Sequence, residues 1–206
     1  MLKKAAWGLV FLFLFAGLAN AQDFNRFDAS LGFGGFFSKT SHSFGNTVVL
    51  EPTSGGAEVF TFRFRFGPRH AVGLNIGHAS NSQVYNTTPL VFRVQSGVTE
   101  FTPSYFFTPF QSGKFELFLV AGTGILRFNP GDTSIAGSQT SFGAAAQNKL
   151  VFTYGAGVDY KLWKVIGVRV QYRGLIYKVP DFHIMNLVTG ATGHTAEPAA
   201  GVVFKF

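Results

Sequence analysis

The sequence predicts an all-β fold, an eight-stranded antiparallel up-and-down transmembrane β-barrel, and three observations predict it. Residues 60–66 alternate Phe with Thr or Arg, and a period of two places the rings on one face of a strand and the arginines on the other. Eight segments with this kind of alternation follow one another along the chain. Short turns and long polar loops alternate between them, which is typical of membrane-spanning barrels.

The composition limits the possible classes of protein. Of 206 residues only 13% are charged, whereas 26 are Phe and 25 are Gly, so a disordered chain and a helical bundle are both disfavoured. The absence of Cys excludes disulfides, thiolate metal sites, a cysteine nucleophile and a lipid attached through an N-terminal cysteine. The net charge of +7 is mild and dispersed along the strands, which argues against nucleic-acid binding.

The N-terminal segment has the three parts of a secretory signal peptide. Lys3 and Lys4 precede an apolar run at residues 5–18, and the small-x-small site Ala19-Asn20-Ala21 follows. The run is shorter than the ~20 residues that a membrane-spanning helix needs. We therefore expect residues 1–21 to be a signal peptide and residues 22–206 to be the barrel domain, with an uncleaved anchor as the alternative.

The first four strands follow from apolar side chains that alternate with polar residues or glycines. They are predicted at residues 26–38, 60–66, 70–80 and 90–108. The connection at residues 67–69 is the tight turn Gly-Pro-Arg, whereas residues 39–56 and 81–89 are long polar loops. The apolar residues that share one face are Phe27, Ala29, Leu31, Phe33, Val72, Leu74, Ile76, Phe101, Tyr105 and Phe107.

The last four strands show the same pattern and are predicted at residues 115–128, 150–161, 166–179 and 198–206. Short turns lie at residues 109–113 and 163–165, and long loops at residues 129–148 and 180–197. Each strand approaches the ~9–11 residues of a tilted membrane span. The apolar face here carries Phe115, Leu117, Leu119, Ala121, Leu150, Phe152, Tyr154, Ala156, Val158, Val168, Val170, Tyr172, Ala200, Val202, Phe204 and Phe206.

The glycines decide which face points inward, because alternation alone also fits a soluble barrel with an apolar interior. They share the polar face, where a narrow eight-stranded lumen has little room and small residues must alternate with large ones. The apolar face then forms a belt toward lipid, and Tyr105, Tyr160, Trp163, Tyr172 and Tyr177 are candidates for interfacial girdles. The glycines concerned are Gly32, Gly34, Gly73, Gly77, Gly122, Gly124, Gly155 and Gly157.

The signal peptide, the eight alternating strands and the aromatic end of the last strand, Gly201-Val202-Val203-Phe204-Lys205-Phe206, resemble the OmpA/OmpX-type outer-membrane barrels of Gram-negative bacteria. The resemblance implies location in the outer membrane. It also implies that Phe204 and Phe206 form the signal read by the outer-membrane assembly machinery. It does not imply the peptidoglycan-binding activity that OmpA carries in a second domain.

Ten charged residues point into the lumen by parity, and in a narrow barrel such charges must pair because an unpaired buried charge is costly. We interpret them as a structural plug; a gated narrow pore is the alternative, and an open channel is disfavoured because eight-stranded barrels are filled by side chains. For Glu116 we expect a guanidinium partner, Arg65 or Arg169. The ten are Asp28, Arg63, Arg65, Glu100, Glu116, Asp159, Lys161, Arg169, Arg173 and Lys205.

The order His78-Ala79-Ser80-Asn81 is similar to the active-site motif of outer-membrane lipid A deacylases. The resemblance implies His78 as base, Ser80 as nucleophile and Asn81 as the oxyanion-stabilising residue. Parity places His78 and Ser80 outward, at the loop end of the third strand. The deacylases, however, carry the motif near the C-terminus and orient the His with an acid, for which this sequence has Phe92 at the matching spacing and an inward Glu100.

These observations favour a monomeric outer-membrane protein with a structural or interaction role through its external loops. A narrow solute channel and a lipid A deacylase-like enzyme are the alternatives. Outer-membrane lipid, the assembly machinery and an unidentified extracellular ligand are the expected partners. We expect no cofactor, and no metal site either, because His42, His183 and His194 lie in separate loops.

Overall fold

The computed structural model describes residues 25–206, and the predicted signal peptide lies outside them. One antiparallel sheet contains eleven strands. Among residues 25–206, no helix is long and apolar enough to cross a membrane. The strands are β1 Phe27–Ser38, β2 Ser41–His42, β3 Val49–Pro52, β4 Gly55–Gly67, β5 His70–Asn86, β6 Val91–Ser112, β7 Phe115–Ile135, β8 Ser138–Gln139, β9 Gln147–Lys161, β10 Ile166–Lys178 and β11 Thr192–Lys205.

Eight long strands close into a barrel, as the sequence predicted. Each pairs with its neighbours along the chain, and β1 completes the ring by pairing with both β4 and β11. The stagger of the strands can be followed through residues that pair directly across neighbouring strands. The row begins at Arg127 in β7, passes once around the ring and returns to β7 at Leu117, ten residues away from its start. With ordinary strand spacings, this stagger tilts the strands by about 40° from the barrel axis.

The outer face is an apolar belt, which confirms the predicted orientation of the strands. In β4, Phe60 is 41% exposed and Phe66 is 58% exposed, whereas Arg63 between them is only 1% exposed. The belt ends upward where outward residues become polar in adjacent strands: Phe60 is followed by Glu58, Ile76 by His78, Phe101 by Thr99, and Ile125 by Arg127. That row marks the boundary toward the extracellular side.

The predicted girdles of aromatic residues near the rims are confirmed in part. Trp163 is 68% exposed near a periplasmic turn, and Tyr105 and Tyr172 also face outward. The assignment of Tyr177 to the girdle is wrong. Its ring is only 5% exposed inside the barrel, where its hydroxyl lies 3.0 Å from Thr195 Oγ1.

Two lumen glycines make room for rings that the sequence analysis did not assign. A Cβ on Gly157 would lie 2.4 Å from Phe118 Cζ, and one on Gly73 would lie 2.9 Å from Phe106 Cε2. Both rings point into the barrel and are almost fully buried. Small residues on one strand thus face large residues on its neighbours, as a narrow interior requires.

The strands β5, β6 and β7 are longer than predicted, with 17, 22 and 21 residues against 12–15 in the other ring strands. Much of the predicted loops at residues 81–89 and 129–148 is therefore strand. The short strands β2 and β3 pair beside β5, and β8 pairs with β7, so a sheet extends the barrel wall above the belt. We call this region the extracellular extension.

Candidate functional site: the filled lumen and its extracellular cap

Seven charged side chains form one network in the periplasmic half of the lumen, which we call the lower network. Asp28 lies at its centre, where Asp28 Oδ1 is 2.6 Å from Arg63 Nε and 3.2 Å from Arg169 Nη2, and its other oxygen is 3.2 Å from Arg65 Nε. Asp159 binds Arg169 at 2.7 Å and Arg63 at 2.8 Å. The members are Asp28, Arg63, Arg65, Glu116, Asp159, Arg169 and Lys205.

Glu116 has the guanidinium partner that its position suggested. Arg65 Nη2 donates to Glu116 Oε1, while Lys205 Nζ donates to Glu116 Oε2 at 2.8 Å. The other candidate, Arg169, is instead occupied by Asp159, Asp28 and the hydroxyl of Ser30. Lys161 was expected in the lumen, but its side chain is exposed at the periplasmic end of β9, because the strand ends there.

Aromatic rings form the wall of the lower network. The guanidinium carbon of Arg63 lies 4.9 Å from the centroid of Phe118 and 5.1 Å from that of Phe106, and Arg169 lies 5.0 Å from Phe118. A guanidinium over a ring face is favourable, and more so where water is excluded. Parity in β6 and β7 places both rings inward, which is the signal in the sequence that could have identified them.

A second cluster, the upper triad, lies higher in the lumen and consists of Arg173, Glu100 and Glu197. Arg173 binds Glu100 through two nitrogens, at 2.9 and 2.7 Å, and Glu197 at 2.6 Å. All three are buried. Glu197 was not predicted as a lumen residue, because residue 197 was expected at the end of a loop, whereas β11 already begins at Thr192.

Neutral hydrogen-bonding side chains occupy further lumen positions beside these clusters. Thr61 donates to Asn75 at 2.8 Å, and Asn75 donates to Ser104 at 2.9 Å. Thr102 donates to Glu100 of the upper triad. The polar lumen therefore extends through the membrane-spanning part of the barrel.

The extracellular part of the interior is mainly apolar, whereas the membrane-spanning part is polar. Tyr85, Phe128 and Leu126 are fully buried there, together with Phe182 and Leu187 from the loop between β10 and β11. The Tyr85 hydroxyl donates to the carbonyl of Pro180 at 2.7 Å. We call the loop at residues 179–191 the cap, because its apolar side chains close the core formed by the extension.

Asp181 links the cap to the first residues of β9. Its carboxylate accepts hydrogen bonds from Gln147 Nε2 and from the backbone N–H of His183, both at 3.0 Å, and Lys149 Nζ lies 3.6 Å away. Partial burial opposes ionisation of this carboxyl, but the two hydrogen bonds and the nearby ammonium outweigh it and lower the pKa of Asp181 below its usual value.

The structure does not bring the three candidate catalytic residues together. His78 and Ser80 face outward in β5, which continues to Asn86, so they lie within the strand rather than at its end. Asn81 faces the interior, is only 5% exposed and accepts a hydrogen bond from Gln83. Glu58, an acid that the sequence analysis did not consider, faces outward as the direct cross-strand partner of His78.

The remaining predicted sites are the aromatic residues of the last strand and the histidines considered as metal ligands. Phe204 faces outward in β11, and the backbone N–H of Phe206 donates to the carbonyl of Phe27 at 2.8 Å, which joins the two ends of the described chain. His194 faces outward beside Tyr154, whose hydroxyl lies 2.8 Å from its Nε2. Within residues 25–206, no group of three His, Asp or Glu side chains could hold a metal ion.

Comparisons with known proteins agree with this architecture. The chain is similar to Neisserial surface protein A, with 15% identity over 87% of this chain and 97% of that chain and a TM-score of 0.52. It also matches the N-terminal β-barrel domain of Pseudomonas aeruginosa OprF (15% identity over 86% of this chain and 97% of that chain, TM-score 0.42). Ail of Yersinia pestis is a further match (14% identity over 87% of this chain and 99% of that chain, TM-score 0.43).

No protein-family model and no curated protein matches the sequence. The closed ring of eight strands, the apolar belt and the likeness to Neisserial surface protein A give the fold. The chain is an integral outer-membrane β-barrel with the eight-stranded architecture that the OmpA/OmpX-type resemblance implied.

Proposed function

We propose that this protein is a closed barrel that acts through its extracellular surface, in a structural or interaction role, rather than as a passage for solutes. One observation carries the proposal: side chains fill the interior from the periplasmic to the extracellular side. The lower network, the upper triad and the apolar core beneath the cap follow one another along the axis.

The cavities beside this filled interior are small. Three of them, including one that touches both Glu100 and Glu197, have volumes of about 10 Å³ each. Such a space holds roughly one water molecule. A larger cavity of about 180 Å³ lies at the periplasmic mouth, below the lower network. Passage of a solute would therefore require several ion pairs and the apolar core to rearrange together.

The extracellular extension offers a surface for a partner. Its rim and loops carry apolar side chains in contact with solvent, among them Phe44, which is fully exposed, and Met185, which is 89% exposed. Exposed apolar residues at loop tips are a feature of interaction surfaces. The partner is expected to present a complementary apolar patch.

Conductance in a planar bilayer tests the closed-barrel proposal. The folded protein is expected to give no steady conductance steps, and the control is a variant in which residues 180–190 are replaced by a short Gly/Ser connection. If the wild-type protein conducts in the steady state, the proposal fails in favour of the narrow channel.

The interaction role is tested by crosslinking on intact cells. A photoreactive group at position 44 or 185 is expected to capture a partner, and the same group at Lys164, in an exposed periplasmic turn, is the control. Equal capture from both sides, or none from positions 44 and 185, contradicts a role for the extracellular surface.

We also propose that the protein is not a lipid hydrolase. The inward direction of Asn81 supports this, because the residue expected to stabilise an oxyanion lies on the other side of the barrel wall from His78 and Ser80. Release of fatty acid from lipid A by the wild-type protein, lost in His78→Ala, would show the opposite. In that case Glu58 would be the acid that orients His78.

A further inference from the structure

The periplasmic mouth contains an open pocket of about 180 Å³ at the lower end of the lumen. Its inner wall is formed by Arg65, Glu116 and Lys205, which belong to the lower network. Its rim is formed by Lys114, in the turn between β6 and β7, and Lys161, at the end of β9. The backbone N–H of Lys161 donates to the carbonyl of Lys114 at 2.8 Å, so the two lysines lie on adjacent connections.

Positive charge exceeds negative charge in this pocket. The lower network already contains four cations, Arg63, Arg65, Arg169 and Lys205, against the three carboxylates of Asp28, Glu116 and Asp159. Glu116, the acid of the pocket wall, is occupied by Arg65 and Lys205. Within residues 25–206, neither Lys114 nor Lys161 forms an ion pair with an acid.

The geometry favours a compact anion. Arg65 is 6% exposed and held in place by Asp28 and Glu116, so one wall of the pocket is a preorganised cation. The rim lysines are exposed and flexible, and ammonium groups of this kind bind phosphate as point charges. A concave site with an excess of one sign of charge concentrates counter-ions more strongly than a flat surface does. Four cationic side chains line this pocket, against the single carboxylate of Glu116.

We propose that this pocket binds a phosphate group at the periplasmic face, with Lys114 and Lys161 as its binding residues and Arg65 as its fixed wall. The phosphate can belong to the headgroup of an anionic phospholipid in the inner leaflet, which surrounds the turns, or to a soluble phosphorylated molecule of the periplasm. The chemistry of recognition is the same in both cases. The proposal does not depend on the role of the extracellular surface.

The first test is a titration with inorganic phosphate, followed by the amide NMR signals of residues 113–116 and 160–162. The barrel is folded in maltoside micelles, which contain no phosphate. We expect saturable shifts in the wild-type protein and an affinity about tenfold lower in Lys114→Gln/Lys161→Gln, since two charge contacts are removed.

Lys164→Gln is the matched control, because Lys164 is also an exposed lysine, in the turn that follows Lys161, but does not line the pocket. It is expected to change the affinity less than twofold. An absence of saturable shifts, or an equal loss of affinity in the control, overturns the proposal, because binding would then reflect diffuse surface charge. Both variants change solvent-exposed residues in or next to the periplasmic turns, and gel mobility before and after boiling verifies that they fold.

The second test identifies the source of the phosphate. The titration is repeated in nanodiscs of phosphatidylcholine alone and of phosphatidylcholine with phosphatidylglycerol. If the anionic lipid produces the shifts and weakens binding of inorganic phosphate, the headgroup is the ligand. Equal phosphate affinity in both nanodiscs assigns the pocket to a soluble phosphate compound. Loss of phosphate binding in both, despite binding in micelles, would overturn a role for the pocket in the membrane.

Discussion

At the scale of the residue, Arg63 shows how a full positive charge can be buried inside a membrane protein. Its guanidinium binds Asp28 at 2.6 Å and Asp159 at 2.8 Å, and it packs against two aromatic rings. The planar fork of arginine lets one side chain contact two carboxylates and stack on aromatic rings, which the single ammonium of lysine does not offer. The residue type at this position therefore follows from geometry as much as from charge.

The pair Glu116–Arg65 gives a prediction at this scale. Glu116→Gln is expected to destabilise the barrel by ~3–5 kcal/mol, because Arg65 and Lys205 lose a shared carboxylate. Water that enters from the periplasmic mouth would reduce this cost. Arg65→Gln is expected to have a similar effect, and the double change to cost less than the sum. Urea unfolding in lipid vesicles measures all three variants.

The control cycle combines Glu116→Gln with Arg173→Gln. Arg173 binds Glu100 and Glu197 in the upper triad and, among residues 25–206, forms no ion pair with the lower network. Distant sites without shared partners have nearly additive effects. Additive effects in the Arg65 cycle as well would contradict a coupled lower network.

At the scale of the element, the outward aromatic side chains of β4 lie at different depths in the bilayer. Phe66 lies beside the periplasmic turn, whereas Phe62 lies four residues higher on the same face. An arginine in place of an outward side chain costs ~2–4 kcal/mol near the midplane of the bilayer and ~0–1 kcal/mol near its edges. We expect Phe62→Arg to show the larger cost and Phe66→Arg the smaller.

Urea unfolding in vesicles compares these two variants with Phe62→Leu, which removes the ring stacking with Phe27 without adding a charge. The difference between Phe62→Arg and Phe62→Leu is the cost of the charge alone. If Phe62→Arg and Phe66→Arg cost the same, the depth assigned to β4 is wrong.

The cap gives a pH-dependent prediction. Because the pKa of Asp181 is lowered in the folded protein, its ionised form stabilises the cap above the usual carboxyl pKa, and this contribution is lost as the pH falls through the lowered value. Hydrogen exchange at residues 181–188 is expected to accelerate, relative to its intrinsic rate, as the pH is reduced from 6 toward 3. In Asp181→Asn, protection should be lower at pH 6 and should not fall further. An identical pH dependence in the wild-type protein and in Asp181→Asn would show that Asp181 does not hold the cap in place.

The strands could be predicted from the sequence, but their full lengths could not. Alternation of apolar and polar residues indicates a strand whose two faces have different surroundings, and for this reason Phe60 and Arg63 were placed correctly. Above the belt, the inner face becomes apolar and the outer face becomes polar, so the pattern inverts. Tyr177 was assigned outward as an aromatic girdle residue, although it lies on the opposite face of β10 from Val168, Val170 and Tyr172. Glu197 was assigned to a loop because the predicted last strand begins at residue 198, whereas β11 begins at Thr192.

At the scale of the whole molecule, the lower network joins strands that are far apart in the chain. Asp28 lies in β1, Arg63 and Arg65 in β4, Glu116 in β7, Asp159 in β9, Arg169 in β10 and Lys205 in β11. Six of the eight ring strands are thereby connected through the lumen, including both strands of the closing seam, β1 and β11. Side chains of such a network reach their partners only when the ring closes.

Asp28 therefore gives a prediction about the whole barrel. Three guanidiniums share its carboxylate, and Asp28→Asn leaves four cations in the network with only two carboxylates. We expect a loss of at least ~3–5 kcal/mol in urea unfolding from vesicles, since buried cations are left uncompensated. The folded gel form that resists unboiled detergent should also be lost at a lower temperature. Asp132→Asn, which changes an exposed acid in the extracellular extension, is the matched control and is expected to leave both measurements unchanged. If Asp28→Asn behaves like this control, barrel closure does not depend on the lower network, and the hydrogen bonds between strands suffice to hold the ring.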